Sequence, residues 1–434
     1  VIATGGYGRI YGQYTSNATI NEGTGASIAL DTGIVPLGNM EAVQFHPTTI
    51  TPSGILVTEG CRGDGGYLLD KNLNRFMVER EPEKQELASR DVVSRHMAQV
   101  MRDGDGVDSP YGPHLWLDIR HLGEEHLRTK LLEVWDICRD FVGVNPAEEL
   151  IPVRPTQHYS MGGIRVNKDG QAYGLAGLFA VGEAACWDMH GFNRLGGNSL
   201  SETIVTGRVI GARAAEYASG TDLRSNTGHA FDALARAEQM ATDWLARDGS
   251  GPNVYEIRDA MGEIMMHKVG IFRNGDELTE AIAELGQLLD DCDNAVLRCK
   301  DPGVNPELAF ALRLKGMLRL AMTVARGAQA RTESRGAHFR TDFPLRNDRD
   351  WLNRTLVRWG ADESAPSFSY EPTGLIDLPP GYRGYGADER IEMTDTLDHH
   401  NAGVVEEQTR HGRLATAEDM GTRLRRGAWQ DIAG

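Results

Sequence analysis

Between Gly182 and Glu202 the chain reads GEAACWDMHGFNRLGGNSLSE: a small-residue turn, an aromatic and histidine-bearing loop, and one arginine, Arg194, among glycines. The stretch runs into a predicted helix from Leu200 to about Ala218. Asn198 or Ser199 is the expected N-cap, and Ser199 with Glu202 has the S-x-x-E capping-box spacing. A glycine-flanked helix N-terminus beside a cation suits an anion held against backbone N–H groups. The Ile, Val, Ala and Gly content of this helix predicts that it is buried, with its N-terminus aimed into a site.

Other segments carry side chains in the same style. His46, in QFHPT, follows a predicted strand Ala42–Phe45 and is expected to project from its end, where ligands bind in α/β layers. Thr58, Glu59, Arg62 and Asp64 fall within seven residues on a glycine-hinged loop. Glu59 and Arg62 read either as a surface ion pair of little worth or, if partly buried, as a proton wire. Arg90, in ELASRDVVSR, starts a predicted helix, where a solvated arginine is the plainer reading. His158, in PTQHYSMGG, precedes a glycine pair. Two His, one Thr and two Arg on glycine loops at element ends suit a dicarboxylate, one carboxylate clamped by arginine and the other held by His and Thr. No Ser–His–Asp order, H-E-x-x-H or P-loop is present, so hydrolysis and phosphoryl transfer have no support.

The elements that must position these groups predict an α/β fold with an insertion. Residues 1–48 alternate short apolar runs with glycine turns, and a helix opens at Glu22-Gly23-Thr24-Gly25, the rhythm of a nucleotide-binding layer. Residues 49–150 turn charged, with helical stretches around Ala88–Met101 and Glu124–Phe141, and read as an inserted α+β capping domain. The α/β layer resumes over 151–220. Amphipathic stretches at Ala230–Arg247, Val254–Met266, Asp276–Cys292 and Pro306–Arg326 predict a helical bundle over 221–330. The C-terminal region, 331–434, reads as irregular through Phe343–Gly384 and then polar.

The 434 residues exceed one compact core, and the net charge of −17 argues against nucleic acid as the main partner. A local Arg/His pocket is still free to be positive. No apolar run approaches the ~18 residues a membrane span needs. Five cysteines without a C-x-x-C fit a reducing compartment and argue against metal or iron–sulfur ligation. The opening Val1-Ile2-Ala3-Thr4-Gly5-Gly6 reads as the end of a buried strand and its turn. A preceding portion is therefore expected, which would hold any G-x-G-x-x-G fingerprint or signal peptide.

Taken in order, ATGGYGRIY, GNMEAVQFHPT, TEGCRGDGG, ELASRDVVSR, PTQHYSMGGI, GEAACWDMHGFNRLGGNSLSE, VGIFR and ESRGAHFR closely resemble the flavoprotein subunits of fumarate reductase and succinate dehydrogenase, especially the quinol:fumarate reductase type. The resemblance implies a partial Rossmann-like FAD-binding domain, the cap and the helical bundle. It implies hydride exchange between flavin N5 and one methine carbon of fumarate or succinate. His46 and Thr58 would bind one carboxylate, His158 and Arg194 the other, and Arg90 would donate the proton. Gly5, Gly6, Glu22, Glu183, Asn198, Ser199 and Leu200 would touch FAD, whose covalent attachment histidine is expected upstream of residue 1. An arginine holds its proton to above about pH 12, so Arg90 needs concerted reprotonation, for which Glu59 and Arg62 are the candidates. Implied partners are an iron–sulfur subunit, a membrane anchor and, through them, quinone, with the chain peripheral on the cytoplasmic face of the inner membrane. The alternatives are an L-aspartate oxidase-like flavoenzyme, which shares several of these motifs, and a non-catalytic assembly scaffold. The TEGCRGDGG and TQHYSMGGI forms favour the fumarate/succinate branch.

Overall fold

Val43–Ile50, VQFHPTTI, is rich in β-branched residues and buried at every position, as expected of a strand covered on both faces. It pairs antiparallel with Ile151–Ser160, matching Val43 to Ser160, His46 to Thr156 and Ile50 to Val153. The register shifts between Gln44 and Phe45 and again between His46 and Thr49, so the strand is bulged on both sides of the histidine. Leu115–Asp118 and Tyr67–Leu69 complete a four-stranded sheet. The computed structural model describes residues 1–221 and 227–373. The predicted C-terminal region lies outside the described residues from residue 374 onward.

Among the described residues, two large cores and a small cluster of Ala42, Tyr159, Met161, Phe192 and Ala337 divide the apolar side chains. One draws on residues 50–153, among them Ile50, Val57, Met77, Val93, Met97, Leu117 and Val134. The helix Arg90–Arg102 contributes Val92, Val93, Met97 and Val100 to it, the i, i+4 and i+7 spacing that makes one apolar stripe. Its Ser94 hydroxyl donates to Phe45 O at 3.3 Å, tying the helix to the His46 strand.

The larger core joins Tyr7, Ile10, Tyr11, Leu30, Leu37 and Ile164 to the helices Val254–Lys268, Gly275–Asn294 and Pro306–Ala330. Those helices start where the sequence supplies caps. Asn253 and Glu256 form a reciprocal capping box, Asn274 accepts from Glu277 N–H, and Asn305 accepts from Leu308 N–H with Pro306 following it. Above them lies a five-stranded sheet in the order Ala185–Cys186, Gly163–Arg165, Leu37–Gly38, Asn353–Arg358, Ser367–Pro372. Within it only the first pair is parallel.

Three expectations need correction. The segment after Phe343 is not irregular throughout: Asn353–Arg358 and Ser367–Pro372 return to the sheet, where Asn353–Arg358 pairs with Leu37–Gly38. Its TLVRW run is short, and its partner lies over 300 residues away, so local pattern gives little sign of it. The helix Asn198–Ser219 is not buried. Only Glu202, Thr206 and Ile210 are, while Leu200, Ile204, Val205 and Val209 are exposed, because no described element covers that face. Finally, Leu131 interrupts the predicted Glu124–Phe141 helix, splitting it into Glu124–Lys130 and Leu132–Phe141.

A buried ion cluster locks the C-terminal strands to the His46 strand. Arg331 Nε donates to Glu41 Oε1 at 2.8 Å, and both side chains have no solvent exposure. The same guanidinium donates to Glu333, Trp351 O and Asn353 O, and Thr355 Oγ1 donates to Glu41. Removing one partner strands a buried charge, which costs about 3–5 kcal/mol. Arg331→Met is therefore expected to lower unfolding stability by about that amount, read from urea denaturation midpoints.

Candidate active site

His46 lies inside its strand, not at the strand's end as the sequence suggested, because the bulge after it lets the strand continue to Ile50. Thr48 N–H donates to His46 Nδ1 at 3.3 Å, which makes Nδ1 an acceptor and leaves the ring proton on Nε2. His46 Nε2 is buried and has no partner. His158, on the neighbouring strand, meets it edge to face with centroids 5.1 Å apart, and its Nδ1 pairs with Ser16 Oγ at 2.8 Å. Burial, and then the nearby arginines, push the His158 pKa down to about 3. Burial, His158 and Arg90 hold His46 well below the ordinary imidazole value. Both rings are neutral donors or acceptors near pH 7.

Arg90 is the first residue of its helix, and Glu59 bridges it to Arg62. Glu59 Oε2 accepts from Arg90 Nε at 3.1 Å and Nη2 at 2.9 Å, while Oε1 accepts from Arg62 Nη2 at 3.3 Å. The short helix Gly60–Gly63 turns Arg62 inward until its side chain is fully buried, whereas the Glu59 side chain keeps 41% exposure. Burial lowers the Arg62 pKa, opposed by Glu59. Asp64 stands apart, paired with His126 at 2.8 Å. Thr58 Oγ1 accepts from Gly60 N–H at 3.3 Å, beside Val57, whose N–H pairs with Thr48 O at 2.9 Å.

Arg194 closes the opposite wall. It is buried, its guanidinium sits 4.4 Å from the Tyr159 ring centroid, and Nη1 donates to Leu195 O at 3.1 Å. Its Nε is buried without a partner. Glu202 holds this platform by accepting from Tyr159 Oη and pairing with His190 Nε2, each at 2.8 Å. A Cβ on Gly196 would lie 2.9 Å from Glu59 Oε2 and 3.1 Å from Arg90 Nη2, so the glycine permits the two walls to touch. Gln44, which the motifs did not single out, connects them: its Nε2 donates to Arg194 O at 2.6 Å and its Oε1 accepts from Arg90 Nη1 at 3.4 Å. The signal for it was its position two residues before His46 on one strand.

The structure thus brings His46, His158, Arg62, Arg90, Arg194 and Glu59 into one cluster. Glu59 bridges two of its three guanidinium groups, and three of its buried N–H donors, His46 Nε2, Arg62 Nε and Arg194 Nε, have no acceptor. A small anion with oxygens at both ends satisfies both deficits.

A second set of residues fits a flavin dinucleotide. A Cβ on Gly6 would lie 2.5 Å from Glu183 Oε1 and 3.0 Å from Ser160 Oγ, so the glycine lets the Glu183 carboxylate pack directly on the backbone. Ser160 N–H donates to Glu183 Oε1 at 2.8 Å. Gly5 carries φ of +73°, the turn that brings the backbone to this wall. The predicted capping box is absent: Gly197, in the left-handed region, is the N-cap, no side chain caps the helix, and the Glu202 carboxylate is turned to Tyr159 and His190. Asn198 and Leu200 are exposed and Ser199 half-buried; Asn198 N–H pairs with Leu195 O and Leu200 N–H with Gly197 O, so an acceptor at this N-terminus meets the Ser199 N–H or competes with those bonds. Glu22 points elsewhere, its carboxylate paired with Arg313 of the bundle.

The FAD binding domain family matches residues 1–200, and the fumarate reductase flavoprotein C-terminal family matches residues 258–385. The fumarate reductase flavoprotein subunit of Helicobacter pylori is 47% identical over 416 residues, covering 89% of this chain and 58% of the relative. The chain therefore spans little more than half the length of that protein. The corresponding subunit of Mycobacterium tuberculosis is 40% identical, covering 89% of this chain and 68% of its own length. A solved E. coli quinol fumarate reductase FrdA variant superposes with a TM-score of 0.82 at 38% identity, over 89% of this chain and 67% of that one. The chain belongs to the family of fumarate reductase and succinate dehydrogenase flavoprotein subunits.

Proposed function

We propose that this chain interconverts fumarate and succinate, with the dicarboxylate held between the cap and the FAD-binding layer. What carries the reading is the pair of buried donors, His46 Nε2 and Arg194 Nε, left without acceptors among concentrated positive charge. His46 and Thr58 take one carboxylate, and Arg194 with His158 takes the other. FAD, held by Gly5, Gly6, Glu183 and the helix N-terminus at Asn198, Ser199 and Leu200, supplies hydride chemistry when bound. Glu22 joins that set only if it exchanges Arg313 for a flavin hydroxyl.

Arg90 delivers the proton to the substrate carbon opposite the hydride. Glu59, half open to solvent and bonded to Arg90 through two contacts, returns a proton as Arg90 releases one, with Arg62 holding the other oxygen. Arg90 remains cationic on average and stabilises the negative charge that develops on the substrate. Electrons pass to or from the quinone pool through an iron–sulfur subunit and a membrane anchor; the likeness to quinol fumarate reductase structures, one with menaquinol, supports the quinone end of that path. No helix among the described residues is long and apolar enough to cross a membrane. From the likeness to quinol fumarate reductase we propose a peripheral subunit on the cytoplasmic face of the inner membrane.

The direct test is turnover of the flavin-loaded enzyme with fumarate and a reduced viologen dye, scored as succinate. Peroxide and iminoaspartate from L-aspartate would instead favour the oxidase reading. Arg90→Gln is expected to cut kcat by about 10²–10⁴-fold while FAD stays bound, because it removes both the acid and a transition-state charge. Turnover within a few-fold of the unaltered enzyme would take Arg90 out of the proton path. Arg194→Lys keeps the charge but loses the planar fork, so KM for fumarate is expected to rise roughly tenfold or more.

Glu183 yields a prediction about pH. Burial lifts its carboxyl pKa to about 7, opposed by the Ser160 N–H bond and Arg194. The folded state thus binds this proton more tightly than the unfolded state. The resulting stability is fully present below the unfolded value near 4.5 and is lost as pH rises through about 7. Glu183→Gln is neutral throughout, so its melting temperature is expected to match the unaltered protein near pH 4.5 and to exceed it increasingly up to pH 7. A constant difference across that range would assign Glu183 an ordinary carboxylate.

A further inference from the structure

Asn193 sits one residue before Arg194, and its side-chain amide touches both other elements that build the site. Its Nδ2 donates to Asp91 Oδ1 at 2.8 Å, on the helix that begins with Arg90. Its Oδ1 accepts from Gln44 Nε2 at 2.7 Å, on the strand that carries His46. Gln44 in turn holds Arg194 O and Arg90. Behind Asp91, whose side chain is 1% exposed, Arg95 pairs with Asp91 Oδ2 and donates to Gly336 O. The Gly336 segment then grips the Asn193 loop from the other side, through Ala337 N–H to Phe192 O at 2.8 Å. The loop bearing Arg194 is therefore clasped between the cap helix, the His46 strand and the C-terminal segment.

We propose that Asn193 is the latch that seats the cap on the FAD-binding layer and sets the spacing between Arg90 and Arg194. It is a positioning residue that acts through Asp91 and Gln44 without touching substrate. The position demands a group that donates on one side and accepts on the other. An amide does both; a carboxylate of the same shape only accepts. With aspartate at 193, two carboxylates would oppose each other in a buried seam, and the cap would be pushed from its seat. The inference rests on the reading that a dicarboxylate bridges the two arginine walls, since only then does their spacing govern KM.

The test is a polarity swap. Asn193→Asp is expected to raise KM for fumarate at least tenfold, to lower kcat less than KM rises, and to speed amide hydrogen exchange in both 58–66 and 190–197. Adding Asp91→Asn restores a donor opposite the new carboxylate, and the double variant N193D/D91N is expected to recover most of the KM and of the exchange protection. Asn193→Ala, which removes both bonds without adding charge, is expected to fall between the two and serves if N193D does not fold. Exchange and KM unchanged in N193D and N193A would overturn the latch, as would a double variant no better than N193D alone. If the unaltered enzyme leaves fumarate untouched, the functional reading fails, yet the exchange measurements still decide the latch, because they need no turnover.

Discussion

Like charges brought close together in a protein interior repel, and the site is built around that constraint. Arg62, Arg90 and Arg194 converge with only the Glu59 carboxylate bridging two of them. Arg194 shows the consequence: burial, then Arg90, lower its pKa, while Tyr159 and Glu183 oppose the change. The scaffold holds the guanidinium groups with neutral partners, the Tyr159 ring under Arg194 and backbone carbonyls of Leu195 and Glu86. A dianion relieves the repulsion that these partners only contain. Affinity for small dicarboxylates on the proposed reading thus comes from charge already assembled, with little reorganisation left for the moment of binding.

The two-core construction follows from the same need. Arg90 and Glu59 are carried by elements packed into the core of residues 50–153, whereas Arg194 rides on the small cluster of Tyr159 and Phe192 and the Gly6 wall on the larger core. The bulged His46 strand is shared, since its Ile50 end enters one core and its Val43 and Phe45 end enters the other. Walls from separate cores can part and meet again, which admits a substrate and then excludes water. Their meeting point must be bare, and Gly196 supplies that. A methyl there would reach the Glu59–Arg90 pair before the walls closed.

Charged and histidine side chains were legible in the sequence because their types are rare in apolar, glycine-rich surroundings; His46, Glu59, Arg62, Arg90, His158 and Arg194 do meet in space. The bundle helices were legible through 3.6-residue periodicity and their Asn caps. What escaped depended on long-range pairing. A bulge that carries a strand through His46 is a property of register with Ile151–Ser160, and the Asn353–Arg358 strand finds its partner across most of the chain. Exposure of Leu200, Ile204, Val205 and Val209 was hidden for a related reason: apolar content says that a helix face suits burial, not which segment covers it. Gln44 and Asn193 were missed because a neutral amide carries no charge or titration signature, and its role lies wholly in which partners it joins.

The neutral histidines bear on the choice of proton donor. An imidazole serves as a general acid near pH 7 when its pKa lies near that value. Burial and the surrounding guanidinium groups hold His158 at about 3 and His46 well below its ordinary value. Burial first, and then the cations that bind a dicarboxylate on the proposed reading, leave the histidines without an acidic proton. Arg90 donates to the Glu59 carboxylate through Nε and Nη2, and that carboxylate reaches solvent. On the proposed reading an arginine donor is the choice that fits this cluster: burial and the surrounding charge disable the imidazoles as acids, and Arg90 is backed by a carboxylate that reaches water for the next proton.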